Sequence, residues 1–211
     1  MSSIPLPRTT KGRATRERLL DVARRLAVAT DGYVELAVVA KAAGVVPSLV
    51  HRYFGSKSGL ISALVDDFFD RFHREVLDAP LEEGDWAHHE RQRLERGVRF
   101  HFDEPFSEVV YGALARDPDV ARNEVARTAV VVERAARSIR KGQQRGELPL
   151  GVDPRFAGAA MFGAMRLVMV EALGRTPRPE PERVVEVLWR QIAAAVGIEA
   201  DARPAPRRRS R

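Results

Sequence analysis

Ser48, His51, Arg52 and Tyr53 bring a hydroxyl, an imidazole, a guanidinium and a phenol to one short stretch of chain, and Lys57 follows closely. Such groups hydrogen-bond phosphate oxygens and base edges. Arg52 can read guanine through two bonds or meet a phosphate. Pro47, Ser48 and Leu49 offer shape and methyl contacts to a groove, and Ser48 alone adds a hydrogen bond. The competing reading of Tyr53 is packing beneath its helix; that of His51 is an ordinary surface histidine. Upstream, Arg8, Lys11, Arg13 and Arg16 can follow a nucleic-acid backbone or a minor groove, or simply keep an arm soluble.

These residues need elements to present them. Residues 36–57 read LAVVAKAAGVVPSLVHRYFGSK. Leu36, Val39, Ala40 and Ala43 keep helical spacing, and Gly44 can end a helix over 35–43 in the left-handed conformation. Pro47 suits the first turn of the next helix, which runs to Tyr53 with Leu49, Val50 and Phe54 available for packing. A helix, a turn and a second helix can lay that second helix in the major groove of DNA. Before them, Leu19, Leu20, Val22, Ala23, Leu26 and Ala27 draw one stripe on a helix over 14–29, closed by the Asp31-Gly32 turn. After them, Ser56 caps a long helix carrying Leu60, Ala63, Leu64, Phe68, Phe72 and Val76.

The remainder also reads as helix. Segments 86–101, 104–115, 118–145, 153–173 and 180–197 are separated by Pro- and Gly-containing breaks, and no period-2 strand or internal repeat is visible. The fold class is all-α. Residues 1–10 read as a flexible arm, and 199–211 as a disordered basic tail.

Composition narrows the function. Hydrophobic residues are 45% and charged residues 30% of 211, which supplies both a core and solvated helix faces. Cysteine is absent, so disulfides, thiolate zinc sites and cysteine nucleophiles are excluded; a cytoplasmic location is expected. The first residues, MSSIPLPRTTKGR, lack the apolar core of a signal peptide. The most membrane-like stretch, 156–174, is interrupted by Arg166 and Glu171, and reads as a buried or interfacial helix with no membrane partner. Residues 1–57 carry ten Lys/Arg against four Asp/Glu, while 58–200 are slightly acidic, so the basic head is the part suited to a polyanion.

Enzymatic and metal chemistry find little support. His88 and His89 are adjacent, so on a helix they point about 100° apart. No H-E-x-x-H spacing occurs, and no metal or cofactor is expected. Asp66, Asp67 and Asp70 have neither nucleophile nor glycine loop beside them and read as a solvated face.

Residues 13–60 resemble the DNA-binding domain of TetR-type transcriptional regulators. The residues that carry the likeness are Thr15-Arg16, Val39-Ala40 with Ala43-Gly44-Val45-Val46, Val50-His51-Arg52-Tyr53-Phe54, and Ser56-Lys57. Three departures stand out. Val46 replaces the usual Ser, His51 replaces the usual Tyr, and helix two exposes Ala37 and Val38 where the family offers polar groups.

The resemblance implies about nine helices: a helix-turn-helix domain over 11–58 and a ligand-binding and dimerisation domain over 59–198. It implies that Lys57 meets a DNA phosphate together with the backbone at the start of helix four. DNA contact is thus expected of Arg13, Arg16, Pro47, Ser48, Leu49, His51, Arg52, Tyr53 and Lys57. It implies an apolar effector pocket in the body, for which Trp86, Phe102, Phe106, Tyr111, Met161, Phe162 and Met165 are candidates, with Arg99, His101 and Glu108 as polar anchors. It also implies a homodimer closed by a four-helix bundle of two late helices, through Ala160, Ala164, Val184, Leu188, Ile192 and Ala195. The expected function is a sequence-specific, non-enzymatic repressor, released from a palindromic double-stranded DNA operator by a largely apolar small molecule. The alternative is a non-specific architectural nucleic-acid-binding protein.

Overall fold

The computed structural model describes residues 9–116 and 118–200, and every regular element among them is helical. In chain order these are α1 (Thr10–Ala29), α2 (Leu36–Ala42), α3 (Pro47–Phe54), α4 (Lys57–Phe72), α5 (Trp86–Asp103), α6 (Phe106–Tyr111), α7 (Pro118–Gln144), α8 (Pro154–Gly174) and α9 (Pro181–Val196). A π-helical turn, His73–Leu77, extends α4, and a 3-10 turn, Leu114–Arg116, follows α6. Nearly all of the expected arm, and the tail beyond Ala200, lie outside the described residues.

The helices gather into two compact units, each discontinuous in sequence. One runs to His73 and takes in Glu104–Asn123; the other holds Arg74–Asp103 and the chain from Glu124 onward. The first unit is therefore larger than the segment 11–58 read from the sequence, because α4 and α6 pack into it.

In the first unit, the Thr9 hydroxyl accepts from Gly12 N at 3.1 Å and starts α1. This cap, rather than the apolar stripe, sets the boundary, so α1 begins earlier than residue 14. Gly32, at φ 86°, turns the chain toward α2 and donates to the Ala27 carbonyl at 2.8 Å. The α4 start is capped by Ser56, whose hydroxyl accepts from Gly59 N at 3.0 Å. Leu19, Leu20 and Ala23 of α1, Val39 and Ala40 of α2, Val50 and Phe54 of α3, and Leu60, Leu64 and Phe68 of α4 are all buried. Each large apolar side chain so buried contributes about 2 kcal/mol. Phe106 of α6 completes this core, with its ring 6.1 Å from that of Phe68 and nearly edge-on.

Asp66 and Asp70 of α4 are exposed, as a solvated face requires, but Asp67 is not. Asp67 accepts from Arg24 of α1 at 2.7 Å and lies 3.4 Å from Arg71 one turn on. Arg71 in turn pairs with Glu104, whose other oxygen accepts from Phe106 N at 3.1 Å and so caps α6. The sequence spacing of Asp67 and Arg71 allowed the short-range half of this network. Its long-range half depends on the fold. The single helix expected over 104–115 is divided at Gly112 into α6 and the 3-10 turn.

In the second unit, α8 and α9 pack on one another and on α5. Pro154 and Pro181 occupy first turns, and Asp153 caps α8 by accepting from Arg155 N and Phe156 N at 2.8 and 3.0 Å. Val184, Leu188 and Ile192, assigned to a subunit interface, are buried inside the chain itself, along with Val185, Trp189 and Val196. An apolar stripe shows that a face is buried, but not against what. Ala195 is half-buried, Ala164 half-buried and Ala160 exposed.

By length and composition α8 could cross a membrane, and a third of its most apolar window is buried. Arg166, near its middle, is paired with Glu124.

Candidate nucleic-acid interface

Two buried positions fix how α3 is presented. Val50 and Phe54, four residues apart, point into the core, so Ser48, His51 and Arg52 are left on the open face. Pro47 is exposed, and Leu49 is half-buried beside it. Val46 provides no side-chain cap to α3, as its replacement of a hydroxyl residue implies, and Pro47 at the first position has no N–H to satisfy. Val38 of α2 and Val46 are both exposed, and add methyl groups to this surface.

Tyr53 is half-buried, with its ring 6.3 Å from that of Phe54 and the Arg52 guanidinium 5.6 Å away. It takes part in packing and keeps an accessible edge, so the two readings of this residue are compatible. His51 Nδ1 lies 3.3 Å from the Gly55 carbonyl oxygen. A carbonyl can only accept, so in this bond Nδ1 carries the proton and Nε2 of a neutral ring is left as an acceptor. Arg13 is exposed on α1, whereas Arg16 is half-buried with its guanidinium 5.6 Å from the centre of the Phe54 ring.

Lys57 opens α4, where the helix dipole favours an anion. Its ammonium already contacts two groups that the sequence reading did not single out. Nζ donates to Glu35 Oε1 at 2.6 Å and lies 4.3 Å from the centre of the Tyr33 ring. The Lys57 hydrogen bond holds the Glu35 carboxyl below the usual carboxylate range. Glu35 stands at the α2 N-cap, a position favourable to Ser or Thr, and this was the available signal.

The candidate effector residues are divided between the units. Phe106, fully buried, and Tyr111 belong to the first; Trp86, Phe102, Met161, Phe162 and Met165 belong to the second. Trp86 has a structural role: its indole N–H donates to Ser138 at 3.1 Å and its backbone N–H to Glu147 at 3.0 Å. Met161, Met165 and Met169 recur every fourth residue and share one side of α8. Of the polar anchors, Arg99 and Glu108 are exposed, and only His101 is buried. Burial pushes the His101 imidazole down to about 4, partly opposed by the Gly97 backbone. Burial likewise raises the Glu90 carboxyl, against the opposing pull of Arg93 at 3.0 Å. Among the described residues no group of three or more metal-ligating side chains is placed to hold an ion.

An amphipathic α3, joined to α2 by a short turn and showing its polar face outward, has the arrangement of a helix-turn-helix, the form that lays a helix in the DNA major groove. Residues 19–64 match the family model described as bacterial regulatory proteins, tetR family. No curated relative matches the sequence. Among solved structures, a complex of SmeT with triclosan superposes with a TM-score of 0.73 at 21% identity, over 92% of this chain and 100% of that one. SmeT is described as the repressor of the Stenotrophomonas maltophilia multidrug efflux pump SmeDEF. RolR in complex with resorcinol gives 0.65 at 21% identity, over 95% and 99%. A Rhodococcus regulator described as belonging to the TetR family gives 0.67 at 23%, over 86% and 98%. These likenesses show the fold. The family model covers residues 19–64, so it is this stretch, α1 to the start of α4, that is similar to the DNA-binding part of tetR-family regulators.

Proposed function

We propose that the chain is a homodimeric repressor that sets two α3 helices into a palindromic operator and leaves it when a small, largely apolar molecule binds the body. The observation that carries this is the open face of α3, where Ser48, His51 and Arg52 stand clear of the core beside Lys57 at the α4 start. Arg52 and Ser48 meet guanine or phosphate, and Nε2 of His51 accepts from adenine N6 or cytosine N4 in the major groove. Tyr53, Lys57, Arg13 and Arg16 hold the register on the backbone, and Pro47 and Leu49 give the groove contact its shape.

A second copy would cover α8. Phe156, Ala160, Gly163, Leu167 and Val170 alternate at spacings of four and three along this helix, and Phe156 and Leu167 are 81% and 69% exposed. That is the seam of a helix awaiting a partner helix, and its small residues permit close approach. It replaces the buried α9 stripe as the proposed interface, with Ala164 and Ala195 at its edge. Two related folds were solved with triclosan and resorcinol, which supports a compact aromatic effector here. Differential affinity of that effector for two head spacings would supply release. In this role the chain performs no catalytic step and works in the cytoplasm, with the DNA.

Selection of genomic fragments by the purified protein at about 0.15 M salt tests the reading. A short palindrome is expected. Binding without sequence preference would overturn it in favour of an architectural role.

A further inference from the structure

Glu35 is the N-cap residue of α2, yet its side chain makes no capping bond to that helix. Its charge is turned on Lys57, 2.6 Å away, and the Tyr33 ring holds the ammonium from another side. Both members of the ion pair are 39% exposed, so the pair stands at the surface where a phosphate would arrive.

We propose that Glu35 is a built-in countercharge that competes with DNA phosphate for Lys57 and so lowers sequence-independent affinity. The inference rests on the phosphate role proposed for Lys57. The electrostatic part of DNA affinity follows the number of phosphates that cations neutralise, because each releases bound counterions. A lysine whose charge is already met by a carboxylate neutralises less. An ammonium has three donors, so sharing is geometrically possible. Sharing nonetheless brings two anions to one cation, and their repulsion opposes binding. Ser48, His51 and Arg52 form no bond with Glu35, so the base-reading face is left intact.

The test uses the whole chain and a labelled mixed-sequence duplex, followed by fluorescence anisotropy over a salt series. Glu35→Gln is expected to bind about five-fold tighter at about 0.15 M salt, with a log–log salt slope steeper by about 0.9. Glu35→Ser, which restores a capping hydroxyl, should show the same gain and guards against local damage to α2. Lys57→Gln should weaken binding and flatten the slope, and adding Glu35→Gln to it should bring a clearly smaller gain than Glu35→Gln brings to the parent chain, with no steepening of the slope. If Lys57→Gln weakens binding while both Glu35 variants match the parent, the countercharge is overturned and the phosphate contact survives. If Lys57→Gln changes nothing, both are overturned.

Discussion

A Cβ built on Gly32 would lie 2.9 Å from the Cβ of Ala113. Gly32 sits between α1 and α2, and Ala113 just beyond α6, so two parts of the first unit far apart in sequence approach closely here. Gly32 also holds a positive φ of 86°. Gly32→Ala should therefore lose stability by about 1–3 kcal/mol, from backbone strain and from the crowded methyl group. Urea unfolding followed by circular dichroism measures it, and an unchanged midpoint would show that the loop yields freely.

The two late helices can be separated by mutation. Leu167 is exposed on α8, and Leu188 on α9 is fully buried. Leu167→Lys should leave the melting curve of each subunit nearly intact yet shift the protein to monomer in sedimentation. Leu188→Ala should cost about 2–5 kcal/mol of folding stability. If Leu188→Ala instead dissociated a stable dimer, the α9 stripe would be an interface after all.

His101 makes stability depend on pH. Its folded value, about 4, lies below the ordinary 6.5. Between those values the unfolded chain binds a proton that the folded chain refuses. The stabilisation is thus full above pH 6.5, falls as the pH drops, and is lost below about 4; the span is worth about 3 kcal/mol. Unfolding titrations across this range should show the loss. In His101→Phe that component should vanish, and an unaltered pH profile would count against the assignment.

His51 is the sharpest probe of base reading. His51→Ala should relax preference at one base pair of the operator by about 1–3 kcal/mol while leaving the salt slope nearly unchanged. A uniform loss over all sequences, with a flatter slope, would make it a phosphate contact instead.

The reading head was legible because its signals are local. The apolar spacing of Val39, Ala40, Val50 and Phe54, the Gly44 stop and the Pro47 start lie within a few turns of one another. The Glu35–Lys57 pair was not legible, since a gap of 22 residues is closed only by packing α2 against the start of α4. Asp67 was hidden in the same way: its partner Arg24 stands 43 residues earlier. The stripe of α9 was visible, but periodicity cannot tell a neighbouring helix of the same chain from one of another copy.

The segment Glu104–Asn123 joins the first unit only after the chain has passed through α5. Phe106 covers Phe68, and Glu104 is tied through Arg71 and Asp67 to Arg24 of α1. A fragment ending at His73 would bare that aromatic surface and leave Arg71 without its Glu104 partner. The reading head is thus not a cassette that one cut can liberate. Grafting it onto another body would require carrying residues 104–123 as well, so recombination at a single crossover would tend to yield a head that lacks part of its own core.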